Sequence, residues 1–118
     1  NARYLTSEQL GEVVEFIVMD VSFISATLVL PAVLTAAFAG TVGEGMKRKV
    51  IVLVKPQFEA GKENVGKGGI VRDEAIQQQA VEKVRACVSS LGATSTDVID
   101  SPILGSEGNR EFLLMGQF

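Results

Sequence analysis

The period of apolar and polar positions changes several times along this chain, and each change marks an element. Phe16-Ile17-Val18-Met19 is a continuous apolar run that stops at Asp20, the pattern of a strand buried on both faces of a parallel sheet. From Val21 to Gly43 no residue is charged. Ser22, Ser25, Thr27, Pro31, Thr35 and Thr41 interrupt that stretch, so it reads as a buried crossover helix with Ser25 as its N-cap, reaching about as far as Ala39. Pro31 either kinks this helix or marks its first turn. The stretch is also long enough to cross a membrane, but length alone discriminates weakly, and the polar interruptions favour the crossover helix.

Lys47-Arg48-Lys49 leads into Val50-Ile51-Val52-Leu53-Val54, a β-branched strand closed at Lys55-Pro56 because proline cannot donate to a ladder. Gln57 to Arg72 is expected to form one long loop rich in Gly and Lys, a kind of segment that is usually functional. Asp73 is an N-cap with Glu74 in the first turn of the next helix, whose apolar face is Ile76, Ala80, Val84, Cys87, Val88 and Leu91, ending at Gly92. A strand over Thr94–Ile99 follows. Ser101, Pro102, Gly105, Gly108 and Asn109 then turn the chain into a final strand over Glu111–Met115. The order strand, helix, strand, helix, strand, strand predicts an α/β fold with right-handed crossovers and a C-terminal antiparallel strand.

Composition narrows the chemistry. At 118 residues and 47% hydrophobic, the chain is one small domain with a real core. Its net charge of −3 argues against binding nucleic acid by bulk charge and leaves room only for a local basic patch. There is no histidine, which removes Ser-His-Asp and Cys-His catalysis together with His-ligated metals. Cys87 is the single cysteine, so no internal disulfide and no cysteine-cluster zinc site can form; its place on the apolar stripe makes it a core thiol. No metal is expected. Acid–base work falls to Asp, Glu, Lys, Tyr or that thiol.

Topology then gathers three of those groups. Parallel strands ending at Asp20 and Lys55 place both at the carboxyl edge of the sheet, where open α/β sheets bind ligands. An antiparallel last strand starts at the same edge, so Glu111 arrives there as well. Each has a plainer role taken singly: a turn cap, a solvated strand end, a surface pair with Arg110 worth little. Their convergence favours a site. Gly61-Lys62-Glu63-Asn64-Val65-Gly66-Lys67 has the spacing of a phosphate-binding P-loop, but Gly68 stands where the magnesium-binding hydroxyl belongs, and the motif starts several residues past the strand. The more useful expectation is a loop whose Lys62, Lys67 and Arg72 meet RNA phosphates.

Four segments carry a family resemblance. Asp20-Val21-Ser22-Phe23-Ile24-Ser25, Leu53-Val54-Lys55-Pro56-Gln57-Phe58-Glu59, Val65-Gly66-Lys67-Gly68-Gly69 and Asn109-Arg110-Glu111-Phe112 resemble the hemolysin A (TlyA) family, over essentially the whole chain. That family is similar to the FtsJ-like rRNA methyltransferases, which use a Lys-Asp-Lys-Glu tetrad for 2′-O-methylation. The resemblance implies a partial Rossmann-like methyltransferase fold, with Asp20, Lys55 and Glu111 as the second, third and fourth tetrad members. It implies S-adenosylmethionine as cofactor with Asp20-Val21-Ser22 beside its methionine part, and rRNA or a ribosomal subunit as partner, met by Lys62, Lys67, Arg72 and Arg110. The first lysine, the glycine-rich cofactor loop and the family's RNA-binding domain have no counterpart in residues 1–118, so the chain matches the C-terminal half of a methyltransferase domain. It is expected to be cytoplasmic, without stable membrane insertion, inactive by itself, and prone to pair with itself through an exposed sheet edge. The competing readings are a membrane-active haemolysin and a non-catalytic RNA-binding remnant.

Overall fold

The computed structural model describes residues 1–11, 14–38 and 47–118. Strands β1 (Phe16–Met19), β2 (Lys49–Val54), β3 (Ser95–Asp100) and β4 (Phe112–Gln117) form one sheet in the order β1-β2-β4-β3. β1 and β2 run parallel, while β4 is antiparallel to both β2 and β3. The sequence-based α/β layout with a C-terminal antiparallel strand is therefore the observed one, with β4 inserted between β2 and β3.

The helices are α1 (Ser7–Leu10), α2 (Ala26–Ala37), α3 (Pro56–Glu59) and α4 (Glu74–Ser90). Ser25 caps α2 as expected, its hydroxyl accepting from the Thr27 amide, and Pro31 lies inside the helix instead of in its first turn. At 12 residues α2 is about 18 Å long. A bilayer core needs about 30 Å, and no described helix is long and apolar enough to cross a membrane. Residues 39–43 of the uncharged stretch lie outside the described residues.

Asp73 caps α4 through a 2.8 Å bond from the Ala75 amide, and Gly92 follows the helix at φ +110°, a conformation glycine takes without cost. The buried stripe of α4 is Gln77, Ala80, Val81, Val84 and Val88, so it is rotated slightly from the periodicity reading: Ile76, Cys87 and Leu91 flank it half-buried. Burial, and secondarily the Glu59 charge, pushes the Cys87 thiol above its ordinary value of 9.0. Carboxymethylation at pH 8 should accordingly run slower on the folded chain than on the urea-unfolded one, because the thiolate is the nucleophile.

The core lies on one side of the sheet. Val29, Leu30 and Leu34 of α2 and Val81, Val84 and Val88 of α4 meet Ile17, Met19, Val50, Val52, Val54, Phe112 and Leu114. The other face carries Phe16, Val18, Ile51, Leu53, Leu113, Met115 and Ile99, and no described helix covers it. Val18 is 68% exposed there, so β1 is buried on one face only, which corrects the two-faced burial its unbroken apolar run predicts.

Candidate active site at the carboxyl edge

The strand register brings the three charged residues together. In β2 and β4, Val54 pairs with Phe112, so Lys55 and Glu111 are each one step beyond the same end of the ladder. In β1 and β2, Met19 pairs with Val52, which sets Asp20 at that end too. The Lys55 Nζ lies 2.5 Å from Asp20 Oδ1 and donates to Ser22 Oγ at 2.9 Å. The lysine side chain is 13% exposed and the aspartate 61%, so the pair sits at the rim with its cation inward.

Glu111 is buried, but it does not pair with Lys55: it forms no ion pair among the described residues. Its Oε2 instead accepts a 2.9 Å hydrogen bond from Gln57 Nε2. Gly105 presses on the same carboxylate so closely that any Cβ there would overlap it. Val21 is half-buried and Ser22 exposed, on the turn that carries Asp20.

The segment after Lys55 is more ordered than the single loop its composition predicts. Lys55 and Pro56 open the one-turn helix α3, the proline occupying a first-turn position where no amide donor is needed. A 3-10 turn spans Lys62–Asn64, and Gly66 bridges to Ile70 around a tight turn. Gly68 and Gly69 hold φ +82° and +78° in that turn, which a side chain would strain. The next helix begins only at Glu74, so this glycine turn does not cradle a phosphate at a helix N-terminus in the manner of a P-loop.

A cleft of about 580 Å³ opens beside these elements, lined by Phe23, Gln57, Phe58, Lys62, the Gly66–Gly69 turn and Ser106-Glu107. Phe23 stands 90% exposed at its mouth with φ +64°, and its ring meets that of Phe58 at 5.0 Å. A bulky residue in this conformation costs about 1–3 kcal/mol, strain that clusters at functional sites.

Lys62, Lys67 and Arg72 are all exposed on the loop, with Lys62 on the cleft wall. Arg110 is placed differently: it pairs with Asp100 at 2.7 Å and Glu74 at 3.8 Å and stacks on Phe112. Among the described residues no group of acidic or thiol side chains is arranged to hold a metal ion.

Three residues that tie the elements around this edge together escaped the reading of charge and topology. Gln57 holds Glu111. Glu59, buried, accepts from the Ala26 amide at 2.7 Å and from Ser25 Oγ at 2.5 Å, and pairs with Lys83 at 3.2 Å, tying α2, α3 and α4 together. Asn109 accepts from the Val71 amide and donates to Gly69 O and Ser106 O, fastening the glycine turn to the loop before β4. All three stand inside the segments that carry the family resemblance, which was the one signal able to find them.

A half-open α/β sheet with an Asp-Lys pair and a buried Glu at its carboxyl edge defines the class: a Rossmann-like fold of the methyltransferase type. The chain belongs to the FtsJ-like methyltransferase family, whose model matches residues 1–118. It is 41% identical over 114 residues to the 16S/23S rRNA (cytidine-2′-O)-methyltransferase TlyA of Mycobacterium tuberculosis, covering 97% of this chain and 40% of that protein. It is 32% identical over 114 residues to hemolysin A of Brachyspira hyodysenteriae, covering 96% and 45% respectively. The solved structure of a candidate hemolysin from Lactococcus lactis superposes with a TM-score of 0.85 at 38% identity, covering 99% of this chain and 53% of that one. The chain thus spans less than half the length of these curated relatives.

Proposed function

We propose that this chain is the C-terminal half of an S-adenosylmethionine-dependent methyltransferase domain that modifies a ribose 2′-hydroxyl of rRNA. The observation carrying this reading is the Asp20–Lys55 pair at 2.5 Å on the carboxyl edge, with Glu111 buried at the same edge. The named activity of the Mycobacterium tuberculosis relative supports it. Relatives more than twice as long, an apolar sheet face that no described helix covers and a β1 edge that no described strand pairs support the half-domain reading.

The donor chemistry fits one end of the cofactor. Asp20 and Glu111 together outweigh Lys55 in charge, which suits a sulfonium cation, and Asp20 and Ser22 are exposed just past the end of β1. For the adenosine the described residues present no glycine-rich turn after β1, so on this reading that grip belongs to the other half of the proposed domain. When bound, S-adenosylmethionine provides an electrophilic methyl group. The protein's own task is to orient the ribose hydroxyl and take its proton. Lys55 has three donor positions as an ammonium, two of which meet Asp20 and Ser22; in its free-amine form it accepts the hydroxyl proton. Phe23 and Phe58 give the cleft the flat apolar surface on which an unstacked base can rest.

Lys62, Lys67 and Arg72 are free to meet RNA phosphates, whereas Arg110 first has to leave Asp100. Such a role places the protein where ribosomes are, in the cytoplasm. In isolation the β1 edge and the apolar face, neither covered by a described element, favour self-association. Label transfer from S-adenosylmethionine to rRNA by the longer polypeptide bearing this chain tests the reading, and silence of that protein on both subunits' rRNA overturns it. Calorimetry on residues 1–118 alone should show no S-adenosylmethionine binding; a micromolar dissociation constant would refute the half-site.

A further inference from the structure

Gln57 stands two residues after Lys55 in the single turn of α3, yet its side chain serves Glu111, 54 positions away. One turn of backbone therefore couples the lysine to the glutamate without letting them pair. Glu111 is a buried carboxylate with a neutral donor on one oxygen, Gly105 closing on it, and no cation among the described residues. A neutral amide fixes such a carboxylate in place while leaving its charge intact, which a lysine or arginine partner would not.

The amide is also oriented. Only Nε2 can donate to Glu111, so Oε1 points the other way, where it is buried and meets no donor among the described residues. Gln57 further lines the aromatic cleft, so the tether runs between the cleft wall and the buried carboxylate.

We propose, resting on the methyltransferase reading above, that Gln57 is a positioning residue for methyl transfer: it anchors Glu111 as an uncompensated anion behind the cleft and so leaves Lys55 to Asp20. Without the amide, Glu111 can swing toward Lys55, and the lysine is drawn off the Asp20–Ser22 edge where the ribose hydroxyl is handled. A shift of that kind is a misplacement on the order of 1 Å, which costs about 10²-fold in rate.

The test is a double-mutant cycle of Gln57→Leu and Glu111→Gln in the longer polypeptide bearing this chain, assayed for methyl transfer to rRNA. Gln57→Leu should lower kcat by about 10²-fold and leave KM for RNA within about twofold, with the protein still folded at the assay temperature although its melting point falls with the lost hydrogen bond. In the Glu111→Gln background the same leucine should cost less than about twofold, since the tethered charge is gone. Gln57→Lys keeps a donor but neutralises the carboxylate, and should fail like leucine. Equal leucine effects in both backgrounds, full activity of Gln57→Leu, or rescue by Gln57→Lys would each overturn the role of Gln57 while the wild type still transfers methyl groups. A silent wild type overturns the methyltransferase reading and this role with it.

Discussion

Lys55→Ala in the longer polypeptide should abolish methyl transfer, by at least about 10³-fold in kcat, while the protein stays folded. General-base and orientation effects contribute roughly 10²–10⁴ each, and the role proposed for Lys55 gives both to one amine. The fold has little to lose. Asp20 is mostly solvent-exposed, so the Lys55–Asp20 pair contributes no more than about 1 kcal/mol to stability. The lysine is also an N-cap that makes no side-chain capping bond, so α3 does not depend on it. Single-turnover assays with rRNA, read beside a thermal melt, separate the two effects. Near-normal turnover would remove Lys55 from the chemistry and take the assignment with it. A collapse of the melting curve would mean that the pair is structural.

Glu59→Ala should have the opposite profile: a loss of stability on the order of 2–4 kcal/mol, readable by urea denaturation. Its carboxylate accepts from the Ala26 amide and the Ser25 hydroxyl at the start of α2, and pairs with Lys83 of α4. Hydrogen bonds to a buried charge contribute about 1.5–3 kcal/mol each, and the amide at the helix start is left without its acceptor when the carboxylate goes. Lys83 itself stays near solvent, so no buried cation is orphaned, which keeps the cost below that of breaking a fully buried pair. Glu59→Gln retains one acceptor and should lose roughly half as much. A midpoint unmoved by Glu59→Ala would show that the turn between β1 and α2 holds itself.

Periodicity was enough for the long elements. The β-branched run before Lys55, the Asp73-capped helix and the Ser25 cap each announce themselves through local chemistry, and each stands where that chemistry puts it. It failed where burial depends on neighbours. β1 is uniformly apolar, yet half its side chains face outward, because nothing in the described chain covers that face. The segment from Gln57 to Arg72 breaks into a helical turn, a 3-10 turn and a glycine hairpin, each too short for a period to register.

For the site, strand ends alone brought Asp20, Lys55 and Glu111 to one edge, since a strand's direction and its terminal residue are both properties of the sequence. Which of them touch was decided only by the tertiary structure. Lys55 chose Asp20 over Glu111, Arg110 turned to Asp100, and Glu111 went to the side-chain amide of Gln57, 54 residues away. Pairings of that kind depend on distances of an ångström between side chains on different elements. Local sequence sets the elements and their order; it carries no information about that last ångström, which packing supplies.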